Sequence, residues 1–184
     1  MSGRTRRLIS FGLAIVALAG GGLASAAALG LTDPPASTEF RAELNGYQEN
    51  QSVSTGASGE FRATLVNDTT LHYVFTYRDL EGGNTLFAHV HFGARSTNGG
   101  VSFFLCGGGT KPDLCPNVAG TVEGDVTAAD IQGPGLQGIA AGQFGEILRA
   151  MRAGTAYANI HTQFWTGGEI RGQINDTDQR QYED

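Results

Sequence analysis

With 184 residues, 40% of them hydrophobic and 16% charged, the chain is long enough for one domain with a proper core and too apolar to be disordered. A formal net charge of −6 and a single lysine, Lys111, leave no basic cluster to follow a phosphate backbone, which argues against nucleic acid as a partner. Twenty-eight glycines among short apolar alternations point to an all-β fold with many tight turns.

The N-terminal segment stands apart. Arg4, Arg6 and Arg7 precede an apolar run from Leu8 to Leu23, and Ala24-Ser25-Ala26 has the small-residue pattern of a cleavage site, so residues 1–26 read as a signal peptide. The apolar character continues through Ala28, Leu29 and Leu31, so a retained anchor is the alternative, and the only route by which this sequence would meet a membrane. Localisation is then secreted, periplasmic or in the cell envelope. Residues 27–36, with Pro34-Pro35, form a linker; residues 37–175 form the domain; residues 176–184 are a polar, acidic tail.

Within the domain, "TEFRAELNG" alternates Phe40, Ala42 and Leu44 against charged neighbours, as a half-buried strand does. "GEFRATLVN" repeats the pattern with Phe61, Ala63 and Leu65, and "TLHYVFTY" follows with Leu71, Tyr73 and Phe75 inward and His72 towards solvent. "LFAHVHF", "GVSFFLC" and "GTVEGDVT" are the next strands, separated by turn residues such as Glu81-Gly82-Gly83 and Asn98-Gly99-Gly100. Only "GQFGEILRAMRAG" reads as helix: Phe144, Ile147, Leu148 and Met151 fall at helical spacing, and Gly154 is placed to end it. "TAYANIHT" and "GEIRGQI" close the domain around the "QFWTGG" hairpin, whose Phe164 and Trp165 offer a knob for a protein or envelope partner or simply close one end. Short, mostly antiparallel strands at this spacing favour a two-sheet β-sandwich with one short helix in a connection.

Three groups of residues carry candidate chemistry. Cys106 and Cys115 bracket "CGGGTKPDLC"; in an exported chain they form a local disulfide, a more natural reading than a metal-binding pair because C-x8-C lacks zinc-ligand spacing. His89 and His91 stand at i and i+2 of one strand, on one face with Phe87 and with Cα atoms about 6.6 Å apart. Two imidazoles so placed can converge on one ion, and each opposes protonation of the other. His161 is the candidate third ligand; binding needs neutral rings, so affinity should fall as the pH drops through about 6.5. Glu169 and Arg171, two apart on the last strand, either form an ion pair or place a carboxylate where it would orient His161. No G-x-S-x-G, P-loop or H-E-x-x-H motif is present, and no catalytic residue is assigned.

Taken in order, F-x-A-x-L-N-G, H-V-H-F-G, N-G-G, G-T-V-E-G-D-V-T-A-A-D, the helix, A-N-I-H-T and G-G-E-I-R-G-Q-I resemble the chordin-type (CHRD) domain over about residues 37–175. That resemblance implies an immunoglobulin-like or superoxide-dismutase-like Greek-key sandwich and no established reaction. A more distant similarity to the Cu,Zn superoxide dismutases implies that His89, His91 and His161 stand where copper ligands would. No histidine lies between His91 and His161, so the bridging histidine and the zinc half have no counterpart. Arg171 stands near the position of that family's second disulfide cysteine. The expected function is therefore an exported, non-enzymatic binding or structural module that holds one copper or zinc ion. The alternative is a copper-dependent, superoxide-dismutase-like redox enzyme lacking the zinc site.

Overall fold

The computed structural model describes residues 37–176. The segments expected to form a signal peptide and a linker, and the tail beyond Asp176, lie outside the described residues. Eight strands run in chain order: β1 (Glu39–Asn45), β2 (Ser58–Asn67), β3 (Thr70–Arg78), β4 (Thr85–Phe92), β5 (Gly100–Cys106), β6 (Gly120–Val126), β7 (Ala156–Thr162) and β8 (Ile170–Asp176). One helix, α1 (Phe144–Arg152), lies in the connection from β6 to β7.

The all-β expectation holds, with one correction to the architecture. All eight strands belong to a single antiparallel sheet in the order β5-β4-β7-β8-β1-β2-β3-β6, not to two separate sheets. The last strand pairs with the first, Phe40 opposite Asp176 and Asn45 opposite Arg171, and this seam joins what would have been the two layers. The sheet curls until its edge strands β5 and β6 touch, so it is nearly closed like a barrel.

The interior follows from strand parity. Phe40, Ala42 and Leu44 of β1, Phe61 and Ala63 of β2, and Leu71, Tyr73, Phe75 and Tyr77 of β3 point inward, alternating with exposed or half-buried polar residues. Ala88 and Val90, Phe103 and Leu105, and Ile160, Ile170 and Ile174 complete the same core. Two tyrosines enter it with their hydroxyls satisfied: Tyr73 donates to the Leu105 carbonyl (2.7 Å) and Tyr77 to the Pro116 carbonyl (2.5 Å). Helix α1 buries Phe144, Ile147, Leu148 and Met151 against the barrel, the stripe expected from its spacing, and Gly154 follows it in the left-handed conformation.

Strand β7 breaks the alternation, because every one of its seven residues is buried. Ala158 and Ile160 face the core, and a second buried layer covers the opposite, outer face of β4, β7 and β8. That layer is polar and aromatic, and it holds the candidate site.

Candidate metal centre

The outer layer is built in rows across the sheet. Register places Phe104, His89, Asn159 and Arg171 on one row, His91, Tyr157 and Gln173 on the next, and Phe87 beside His161 on a third. The three histidines therefore meet because β4 and β7 are neighbours, although 72 positions from His89 separate His161 in the chain. His89 rests 4.3 Å from His91 and 4.7 Å from His161, measured between ring centroids, and Phe87 packs at 4.7 Å from His161. One nitrogen from each histidine lies within 4.8 Å of the other two.

Loops crossing over this face fix the rings. His91 donates its Nδ1–H to the Gly99 carbonyl (2.9 Å), and His161 its Nδ1–H to the Thr166 carbonyl (2.9 Å), which leaves the lone pair of each ring on Nε2. His161 Nε2 and His89 Nδ1 are buried with no hydrogen-bond partner. An unsatisfied buried polar atom costs about 1–3 kcal/mol, so two together mark a place where the chain alone leaves its polar groups incomplete. The donor set fits a metal ion: three neutral nitrogens, two of them oriented by a backbone carbonyl through the other ring nitrogen.

Burial pushes all three histidines towards the neutral form. His89 is brought down to about 2, by burial first and by His91 and His161 second, and His91 to about 4, chiefly by burial. His161 is lowered by burial, against the opposing bond to Thr166. The expected loss of metal affinity near pH 6.5 is corrected accordingly: protons compete with an ion only in a more acidic range.

Arg171 and Glu169 are both buried, but neither has a role expected from the sequence. Glu169 sits just before β8 and accepts four hydrogen bonds, from Thr55 Oγ1 (2.9 Å), the Glu81 N–H (2.7 Å), the Gly82 N–H (3.1 Å) and Thr162 Oγ1 (2.8 Å). No hydrogen bond or ion pair joins it to Arg171 or to His161, whose ring N–H goes to Thr166 instead. It is a staple for the loops around the site. Gly82 has to be glycine there, because a Cβ would lie 1.9 Å from Thr162 Oγ1. Arg171 donates to the Gln48 (2.7 Å) and Thr97 (2.9 Å) carbonyls and lies 4.5 Å over the Tyr157 ring, whose face stacks on His91.

Three further members of the layer carried no assignment in the sequence. Tyr157 and Asn159 precede His161 by four and two residues, so strand parity alone would have put them on its face. Glu49 could not be found that way, since it comes from the loop after β1. Its Oε1 accepts from Asn159 Nδ2 (2.5 Å), and burial raises its carboxyl to about 7, against the opposing pull of Arg171. Gly168 fits against this pair with positive φ, where a Cβ would come 2.5 Å from both.

His72 is half exposed on β3, bonded to Asp125 of β6 (2.8 Å), and does not join the cluster. Cys106 and Cys115 form the expected disulfide, with Cα atoms 5.2 Å apart. Phe164 is exposed at the β7–β8 turn and packs edge-on against the partly buried Trp165, at 5.0 Å. Among the described residues no helix is long and apolar enough to cross a membrane.

The family described as the CHRD domain matches residues 40–174 of the chain. No curated protein and no solved structure matches it.

Proposed function

Because the chain belongs to the CHRD-domain family, and the matched span contains the whole outer layer, we propose that it is an exported binding module that holds one copper or zinc ion through His89, His91 and His161. The observation that carries this reading is the pair of buried, unpartnered ring nitrogens, His89 Nδ1 and His161 Nε2. An ion would take both, together with His91 Nε2, the ring nitrogen that the bond to Gly99 does not use. The nitrogens would close to roughly 3.3–3.5 Å apart around a metal at about 2.0 Å from each.

Titration calorimetry on the metal-free protein tests the reading. One Cu(II) or Zn(II) ion per chain is expected. His89→Ala, His91→Ala and His161→Ala should each abolish binding, while His72→Ala should leave it intact. Wild-type binding by His161→Ala would refute the three-ligand site.

Export is supported by the arginine-led apolar segment and by the disulfide, which belongs in an oxidising compartment. Mature protein should begin near Ala27 to Leu29, which mass spectrometry of exported material measures; recovery of Arg4 to Arg7 there would favour a retained anchor. The partner is a protein or envelope component, with Phe164 its exposed contact point. The resemblance to Cu,Zn superoxide dismutase read from the sequence extends only to the three candidate ligands. Lacking a bridging histidine, the chain is read as a capture, storage or structural site, and little superoxide removal is expected of its copper form.

A further inference from the structure

The outer layer also contains information about the charge of the ion. Among the described residues no carboxylate joins the three histidines, so every ligand atom is a neutral nitrogen. The charged group nearest to them in the stack is a cation, Arg171, held over the Tyr157 ring that lies flat against His91. Its remaining nitrogen, Nη2, is buried without a partner. Glu49 is the carboxylate facing Arg171, and Asn159 stands between it and the histidine row. On the other side the cluster is walled by Phe87 and Phe104, with Phe104 edge-on to His89 at 5.2 Å.

Such surroundings discriminate by valence. Desolvation of an ion grows with the square of its charge, so a dication loses about four times as much as a monocation on entering a site of low polarity. Here it would also face a buried guanidinium with no anionic ligand to offset either cost. Geometry acts in the same direction. Zn(II) and Cu(II) with three nitrogens call for a fourth ligand, usually water, whereas the unpartnered nitrogens of His89 and His161 are out of contact with solvent. Cu(I), which shares its filled d shell with Zn(II) but carries half the charge, has less need of a further donor and is content with three ligands in a plane.

Resting on the metal-binding reading above, we propose that the cluster is a site for monovalent copper, and that Arg171 is the residue that sets its preference over divalent ions. Binding is ligand exchange alone: three Cu–N bonds form as the ion's bonds to its chelator or carrier break, and no electron moves, with the Nδ1–H of His91 and of His161 kept on the Gly99 and Thr166 carbonyls.

The test is a set of competition titrations on the oxidised, metal-free protein at pH 8. Cu(I) is presented anaerobically against a chromogenic Cu(I) chelator, and Zn(II) and Cu(II) against their own indicators. The expected result is one Cu(I) per chain, held at least 100-fold more tightly than Zn(II) or Cu(II). Arg171→Met should cut that ratio at least tenfold. Glu49→Gln should raise it, because Arg171 then acts without its facing carboxylate. If Arg171→Met does not fold, as judged by circular dichroism, Glu49→Gln alone decides the role of Arg171, and an unchanged or lowered ratio refutes it. Equal or tighter binding of Zn(II) or Cu(II), lost in His161→Ala, would overturn the valence preference while leaving the three-histidine site in place. Absence of any histidine-dependent binding would overturn both.

Discussion

Glu49 shows how far a residue in this protein can be from its expected behaviour without any motif to announce it. Its carboxyl is raised to about 7, mainly by burial, and the folded chain therefore holds a proton there that the unfolded chain releases near the ordinary glutamate value. The contribution to stability is present at low pH and is lost as the pH rises towards and through about 7. Glu49→Gln removes that loss. At pH 8 the variant should be more stable than wild type by about 1–2 kcal/mol, with the difference vanishing towards pH 5, as denaturant melts at the two pH values would show. The histidines have the opposite sign. Because His89 and His91 are lowered to about 2 and about 4, metal affinity should stay level between pH 7.5 and 5.5, and a tenfold loss across that interval in a calorimetric series would contradict the neutral state assigned to them.

Among the elements, the strands were legible and the layer outside them was legible only in part. Period-two alternation in "TEFRAELNG" or "TLHYVFTY" needs only one buried face, and short apolar runs between turn residues mark strands such as β7, so all eight strands, and the helix by its own spacing, could be read from local pattern. The same parity gave His89 and His91 a common face. The pairing of β8 with β1, which makes one sheet of eight strands, is set by contacts between the two ends of the domain and leaves no local signal. Glu49 meets Asn159 across 110 positions and was illegible for the same reason. Glu169 looked like half of an ion pair because an arginine follows two positions later, whereas its four partners lie in loops and on β7. Glu169→Ala would leave two backbone N–H groups and two hydroxyls without their acceptor. A loss of about 3–5 kcal/mol is expected, with Glu169→Gln costing less, measured by chemical denaturation. Cys106→Ser should lower the unfolding midpoint by the equivalent of about 2–3 kcal/mol without unfolding the domain, since the loop it closes is short.

For the molecule as a whole, acid should be the destabilising direction. The unfolded chain protonates His89 and His91 near pH 6.5 and the folded chain keeps them neutral, so from there down to about pH 4 each of these two rings removes up to about 1.4 kcal/mol per pH unit, and the lowered His161 acts in the same direction. Glu49 offsets part of this between about 7 and 4.5. The net expectation is an unfolding midpoint that drops steeply below pH 6.5, and an ion in the site should flatten the slope by holding the rings neutral. Thermal melts from pH 8 to pH 4, with and without metal, measure both.

The near-closure of the sheet has a consequence for how these chains behave in a crowd. A free sheet edge is a template on which another copy can add a strand, and this fold has two, β5 and β6, turned towards each other. The segment that follows β6 reinforces the join, since the Gln132 N–H bonds the Ser102 carbonyl of β5 (2.8 Å). The loop from β5 to β6 carries the disulfide, so the covalent bond sits beside the one place where the barrel can open into a ribbon. Reduction should therefore expose β5 to neighbouring molecules before the core is lost. Light scattering of the reduced protein should rise under conditions where circular dichroism still reads as native, while the oxidised protein at the same concentration stays dispersed.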